Sequence, residues 1–168
     1  YPRHISDMAN EKHRQTTKSE IMKQLHNMEM DDFRLYLQGH LRDHRFPEAY
    51  NKQFIQLRAD SAYNAYIEHR LKGRSVDAAR ELAMRILLDG RYVSRWDVVM
   101  QVIEEDLWLR IQPKDREKWA KLFLSLRFIN AILDEYEVNG DFLERGAYPS
   151  LESKLLGEMT EILDGYEL

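Results

Sequence analysis

Two histidines four residues apart, His40 and His44, form the sharpest chemical pattern in this 168-residue chain. That spacing puts both imidazoles on one side of a helix, where they could share a metal ion. A site needs at least a third ligand. The adjacent Glu of a zinc-protease helix and the Glu-x-x-His of a di-iron bundle are both missing, so His69 or Asp60 would have to arrive from the next helix. The plainer reading makes His40 a core-edge residue and lets His44 complement the carbonyl end of its helix. We assign no metal or cofactor site. Nucleophilic chemistry has still less support: there is no G-x-S-x-G elbow, no Ser-x-x-Lys and no phosphate-cradling glycine loop. Glu104, Glu105 and Asp106 are consecutive and point in different directions around a helix, so they share no acid–base site. No catalytic residue is assigned, and the chain is expected to be non-enzymatic.

A different chemistry is suggested by residues 75–107, which spell two short amphipathic helices with a glycine between them. Ser75 can cap the first, whose stripe is Ala79, Leu82, Ala83, Ile86 and Leu87, and Gly90 can end it in the left-handed conformation. Ser94 opens the second, with Asp97 three residues on as an approximate capping box and Val98, Val102 and Ile103 on the buried face. Two helices joined this way satisfy the outline of a helix-turn-helix, and Arg74, Arg91 and Arg95 near the Gly73 and Gly90 turns are the residues that would meet phosphates. Three features weigh against it. The turn from Asp89 to Val93 is slightly long, Ile86 occupies the close crossing where a small residue is usual, and the reading helix would end in three acids.

The elements that must position these residues are helical. Phe33, Tyr36, Leu37, His40, Leu41 and His44 recur at helical spacing after Asp31. Pro47 suits the first turn of a long helix through Leu71, built on Phe54, Ala59, Ala62, Tyr63 and Tyr66 and stopped by Gly73. Pro113 starts another, within which residues 119–133 are apolar at eleven of fifteen positions; a helix apolar on most sides is surrounded by others, so it is expected at the centre. Arg127 and Asn130 would then be the partly buried polar groups. Ser150 caps a last helix with Leu155, Met159, Ile162, Leu163 and Tyr166 on one stripe. No stretch alternates with period two between hairpin turns. The fold expected is all-α: one compact domain over residues 18–168, of five or six helices around that central helix. Residues 1–17 read as a disordered or loosely attached arm, followed by a short helix on Ile21, Leu25 and Met28.

Composition narrows the setting. A chain without cysteine has no disulfide, thiolate zinc site or thiol nucleophile. No apolar run is long enough to span a membrane, and residues 1–18 are too polar for the core of a signal peptide, so a cytoplasmic location is expected. The net charge of −4 hides a polarity: residues 134–168 hold ten acids against Arg145 and Lys154, a net of −8, and residues 1–133 carry +4. The acidic end should repel nucleic acid.

The segments Phe54-Ile55, Arg58-Ala59-Asp60, Glu81-Leu82-Ala83-Met84, Leu87-Leu88-Asp89-Gly90 and Ser94-Arg95-Trp96-Asp97 resemble a family of small proteins of unknown function found mainly in Bacteroidetes. The similarity covers about residues 31–168, including the closing Glu158-Met159-Thr160 and Tyr166-Glu167-Leu168, and departs in the N-terminal arm and over Phe123 to Asn130. It implies an all-helical domain in a bacterial cytoplasm, loosely associated with mobile elements, and supplies no activity. Three Trp and nine Tyr exceed what caps and solubility need, and aromatic anchors with polar tips suit interfaces as well as cores. The functional expectation is therefore an accessory or protein-interaction domain, with a protein partner or self-association and no membrane. The alternative is a nucleic-acid-associated protein using the turn arginines.

Overall fold

A computed structural model describes residues 29–138 and 142–166, apart from the side chain of Leu143. The expected arm, the short helix after Thr17 and the domain boundary between them lie outside the described residues, as do Asn139 and Gly140, near which the helix from Pro113 is expected to end. Seven α-helices and no strands occur among the described residues. They are α1 (residues 29–43), α2 (Lys52–Leu71), α3 (Val76–Leu87), α4 (Arg95–Asp106), α5 (Arg116–Ser125), α6 (Arg127–Glu135) and α7 (Tyr148–Tyr166), with 3-10 turns at Pro47–Tyr50, Pro113–Asp115 and Phe142–Arg145.

Packing divides the chain into two compact units. In the first, which among the described residues holds 29–37 and 52–87, α2 and α3 form a helical hairpin on small residues: Ala59, Ala62, Ala79 and Ala83 are all fully buried. The hairpin can turn because Gly73 takes φ +86°, letting Arg74 N–H reach the His69 carbonyl and Gly73 N–H the Arg70 carbonyl, a Schellman ending. Ser75 Oγ then accepts from Ala78 N–H and starts α3. The first part of α1 adds Phe33 and Leu37 to this core.

The second unit comprises, among the described residues, 38–51, 88–138 and 142–166, and holds a larger apolar core to which α4, α5, α6 and α7 contribute. Phe123, Ile129, Leu133, Leu151, Leu155 and Met159 are fully buried there. Trp119 packs on Phe123 and meets Tyr166 edge-on, with ring centroids 5.6 and 5.2 Å away.

Three expectations need correction. Among the described residues the helix count is seven rather than five or six, and the long central helix from Pro113 does not form: a 3-10 turn precedes α5, and Leu126, with φ −90° and ψ 132°, separates α5 from α6. The cause lies in the polar residues that interrupt the apolar run. Ser125 Oγ donates to the Leu122 carbonyl, and Asn130 Nδ2 donates to the carbonyls of Leu124 and Leu126 at 2.8 and 3.0 Å, so side chains take over acceptors at the break. Asn130 is half-buried and fully engaged, whereas Arg127 is exposed. Second, Pro47 begins only a 3-10 turn, because Asn51 is extended, and α2 starts afresh at Lys52. Third, α7 starts at Tyr148 with Pro149 in its first turn, so Ser150 lies inside the helix, bonded to the Tyr136 hydroxyl.

Candidate functional site

A cleft of about 400 Å³ opens in the second unit where the end of α1, the turn before α4 and the α5–α6 break converge. The backbone explains why the first wall is there. Arg45 sits at φ +54°, outside any glycine, and still closes α1 as Gly73 closes α2: Phe46 N–H bonds the Leu41 carbonyl and Arg45 N–H the Arg42 carbonyl. A non-glycine residue in this region carries strain of roughly 1 kcal/mol, offset by what its side chain meets. The Arg45 guanidinium lies 4.1 Å from the Trp96 ring centre and pairs with Glu117. That contact, with Lys121 beside it, holds the Glu117 carboxyl below its ordinary range.

The second wall is the Gly90–Ser94 turn. Gly90 at φ +70° turns the chain, and Arg91 Nη2 donates to Glu48 Oε1 at 2.9 Å. Arg95 Nη1 donates to Asn130 Oδ1 at 2.9 Å, and its Nη2 pairs with Asp134. Thus Arg91 and Arg95, two of the three arginines singled out in the sequence, face one cleft together with Arg45. The other, Arg74, belongs to the first unit, where its side chain is exposed and its carbonyl accepts from Arg70. Each cleft guanidinium has a carboxylate of its own (Glu117, Glu48 or Asp134), while Phe46, Val93, Leu124 and Val138 supply apolar lining.

The histidines adjoin this cleft. Their rings are 4.4 Å apart, as the i, i+4 spacing requires. His40 Nε2 donates to the Arg91 carbonyl at 2.6 Å, and His44 Nδ1 donates to the Asp97 carboxylate at 2.8 Å, so one nitrogen of each ring is committed to holding the turn. No group of three or more His, Asp or Glu that could hold a metal occurs among the described residues.

Ser94, Asp97 and His44 are the residue types of a hydrolytic triad, but they are connected differently. Ser94 is buried and its Oγ accepts from Asp97 N–H at 3.0 Å; Asp97 Oδ2 accepts from Ser94 N–H at 2.9 Å, completing a capping box. His44 bonds the carboxylate, and no hydrogen bond joins it to Ser94. A base that cannot take the serine proton activates no nucleophile. What the arrangement does chemically is present three oriented guanidiniums and an indole at an apolar cleft.

Sequence reasoning missed Arg45, Glu48 and Trp96. Arg45 follows the last turn of α1 and precedes Phe46-Pro47, and proline restricts the residue before it to extended backbone. That was the available sign of a helix end without glycine.

A crystal structure of protein PG0816 from Porphyromonas gingivalis is similar to this chain, with a TM-score of 0.78 and 26% sequence identity over 86% of this chain and 97% of that one. Among curated proteins none matches. No helix of the described residues is long and apolar enough to cross a membrane. A family model described as a domain of unknown function, DUF1896, matches residues 25–168, and the chain therefore belongs to that family.

Proposed function

We propose that the domain is a non-enzymatic accessory protein of the bacterial cytoplasm that acts, without metal or cofactor, by associating with another protein or a second copy of itself, and that the arginine cleft of the second unit receives an acidic segment of that partner. The convergence of Arg45, Arg91 and Arg95 on one apolar-lined cleft carries this reading. Bidentate-capable guanidiniums already oriented by intramolecular carboxylates lose little freedom when an incoming carboxylate takes over, and specificity comes from the fixed fork geometry. The Arg45–Trp96 stack adds a rigid, partly apolar anchor of the type that dominates interfaces.

The same convergence favours a second reading, in which the arginines meet nucleic acid. Against it stands the net −8 of residues 134–168, ten acids against Arg145 and Lys154: a long polyanionic duplex meets that field along its length, whereas a short acidic segment confined to the cleft meets only part of it. Fluorescence anisotropy with a labelled hexaglutamate peptide and with a labelled random duplex separates the two. The peptide should bind, weaken with salt and lose about tenfold in affinity with Arg91→Ala/Arg95→Ala, as expected for losing two charge-assisted contacts. The duplex should bind no better than to an unrelated acidic protein. Micromolar, salt-sensitive duplex binding reduced by the double substitution overturns the protein-association reading.

A further inference from the structure

A cavity of the first unit, about 240 Å³ and lined by Glu29, Asp32, Phe33, Tyr66 and Arg80 among others, is smaller than the arginine cleft of the second, about 400 Å³. The larger volume lies in the range that encloses a drug-sized molecule, and a single carboxylate fills little of it. What remains of the cleft is apolar. Phe46, Val93, Leu124 and Val138 line it, each only half-buried, so apolar area stays in water beside the guanidiniums. Phe46 is a fixed wall: its ring stacks on His40 with centroids 6.0 Å apart and planes at 21°, and His40 is itself bonded to the Arg91 carbonyl.

The three guanidiniums differ in how tightly they are committed. Glu48, the partner of Arg91, is 27% exposed, whereas Glu117 on Arg45 and Asp134 on Arg95 are 57 and 67% exposed. Ion pairs that open to water are worth little, so those two carboxylates give way to a competitor at small cost. Arg45 and Arg95 are therefore the arginines an incoming acid meets first.

Resting on the reading that this cleft takes an acidic segment, we infer that the segment is of one class, in which a large aliphatic side chain stands next to the acid. The acid's carboxylate takes the place of Asp134 on Arg95 or of Glu117 on Arg45, and the aliphatic group covers Val93, Leu124 and Val138. Charge alone would admit any polyanion, and its contribution fades with salt. Burial of an aliphatic group does not fade in that way, and it separates one kind of acidic segment from all the others.

The test uses the full chain and three labelled peptides, followed by fluorescence anisotropy at low and moderate salt. The peptides are hexaglutamate and two of equal charge, Glu-Glu-Leu-Glu-Glu-Leu and Glu-Glu-Ser-Glu-Glu-Ser. The leucine peptide should bind about tenfold tighter than the serine peptide, as expected for partial burial of one leucine side chain, and the ratio should persist at the higher salt while both affinities fall. Leu124→Ala and Val138→Thr should each reduce that ratio severalfold. Leu109→Ser removes an exposed aliphatic group between α4 and the Pro113–Asp115 turn, outside the cleft, and should leave the ratio unchanged. If Leu124→Ala alters folding, as read by circular dichroism, Val138→Thr, similar in shape, decides. The inference alone is overturned, and the acidic-segment reading kept, if the peptides bind and leucine confers no advantage, if the cleft variants leave the ratio unchanged, or if Leu109→Ser lowers it as much as they do. Failure of all three peptides to bind overturns the reading and the inference with it.

Discussion

In the second unit's cleft Arg45, Arg91 and Arg95 each lie against a carboxylate, while in the first unit's cavity Glu29, Asp32 and Arg80 line one space and none of them pairs among the described residues. The two sites have similar ingredients, charged side chains beside aromatic walls. What differs is the use of the charge. Arg91, Arg95 and Asp97 hold a turn and a helix start in place, so their interactions belong to the fold first and to any partner second. The charges that line the first unit's cavity make no ion pair among the described residues, although Arg34–Asp31, Lys72–Glu68 and Arg85–Glu81 pair elsewhere in that unit. Stability should therefore respond more to substitution at the cleft than at the cavity.

The largest contrast is expected between two aspartates. Asp97 completes the capping box and accepts from His44, so Asp97→Ala should destabilise by about 2 to 4 kcal/mol, the sum of a lost cap and a lost charged hydrogen bond. Asp32→Ala should stay within about 0.5 kcal/mol, as for an exposed residue outside any network. Denaturant midpoints for the pair check this, and equal losses would break the comparison. Next come two arginines. Arg91→Ala removes the partner of Glu48 Oε1 while Oε2 of the same carboxylate is already buried without a partner, and should cost about 1 to 3 kcal/mol. Arg80→Ala should again fall within about 0.5 kcal/mol. Measuring both by urea unfolding sharpens the distinction between a guanidinium that holds the fold and one that only lines a cavity.

The helix endings allow a smaller, purely conformational test. Gly73 and Arg45 close α2 and α1 in the same left-handed conformation, one with glycine and one without. A Cβ at Gly73 would meet nothing within 4 Å, so Gly73→Ala should lose about 1 kcal/mol through backbone strain alone. Arg45→Gly relieves the same strain but forfeits the stack on Trp96 and the pair with Glu117, so its net change should be smaller than that of Gly73→Ala. A large loss for Arg45→Gly would mean the side-chain contacts outweigh the strain. The Arg45 pair also has a pH signature. Because Glu117 is held below its ordinary carboxyl range, whatever it contributes is present above that range and disappears as the pH falls through it, a dependence that Glu117→Gln should remove.

How legible this was in the sequence follows the same division. Gly73, Ser75, Gly90 and the Ser94/Asp97 pair act through bonds to residues one to five positions away, and local spacing announces such bonds. The break at Leu126 is also local, but its signal was two polar residues inside an apolar run, and eleven apolar positions of fifteen outweighed them. Neither cavity could be read. Arg45 meets Glu117 across 72 positions and Tyr66 meets Phe33 across 33, and nothing in a periodicity says which faces will converge. The histidine pair shows the intermediate case: the spacing brought His40 and His44 together, and only the tertiary partners, the Arg91 carbonyl and Asp97, determined what the rings do.

The smallest expected effect makes the cleanest comparison, because it removes a single hydroxyl from each site. Ser94→Ala takes away the oxygen that accepts from Asp97 N–H and leaves a buried donor without its partner; it should cost about 0.5 to 2 kcal/mol. Tyr66→Phe takes away a hydroxyl that has no hydrogen-bond partner among the described residues and keeps the ring that packs on Phe33. The Tyr66 oxygen is not a buried atom left without a partner, so stability should change by no more than about 0.5 kcal/mol. Matched thermal and urea melts read the difference. Should Tyr66→Phe cost as much as Ser94→Ala, the Tyr66 hydroxyl would have a structural partner of its own, and the contrast between the two units would fail.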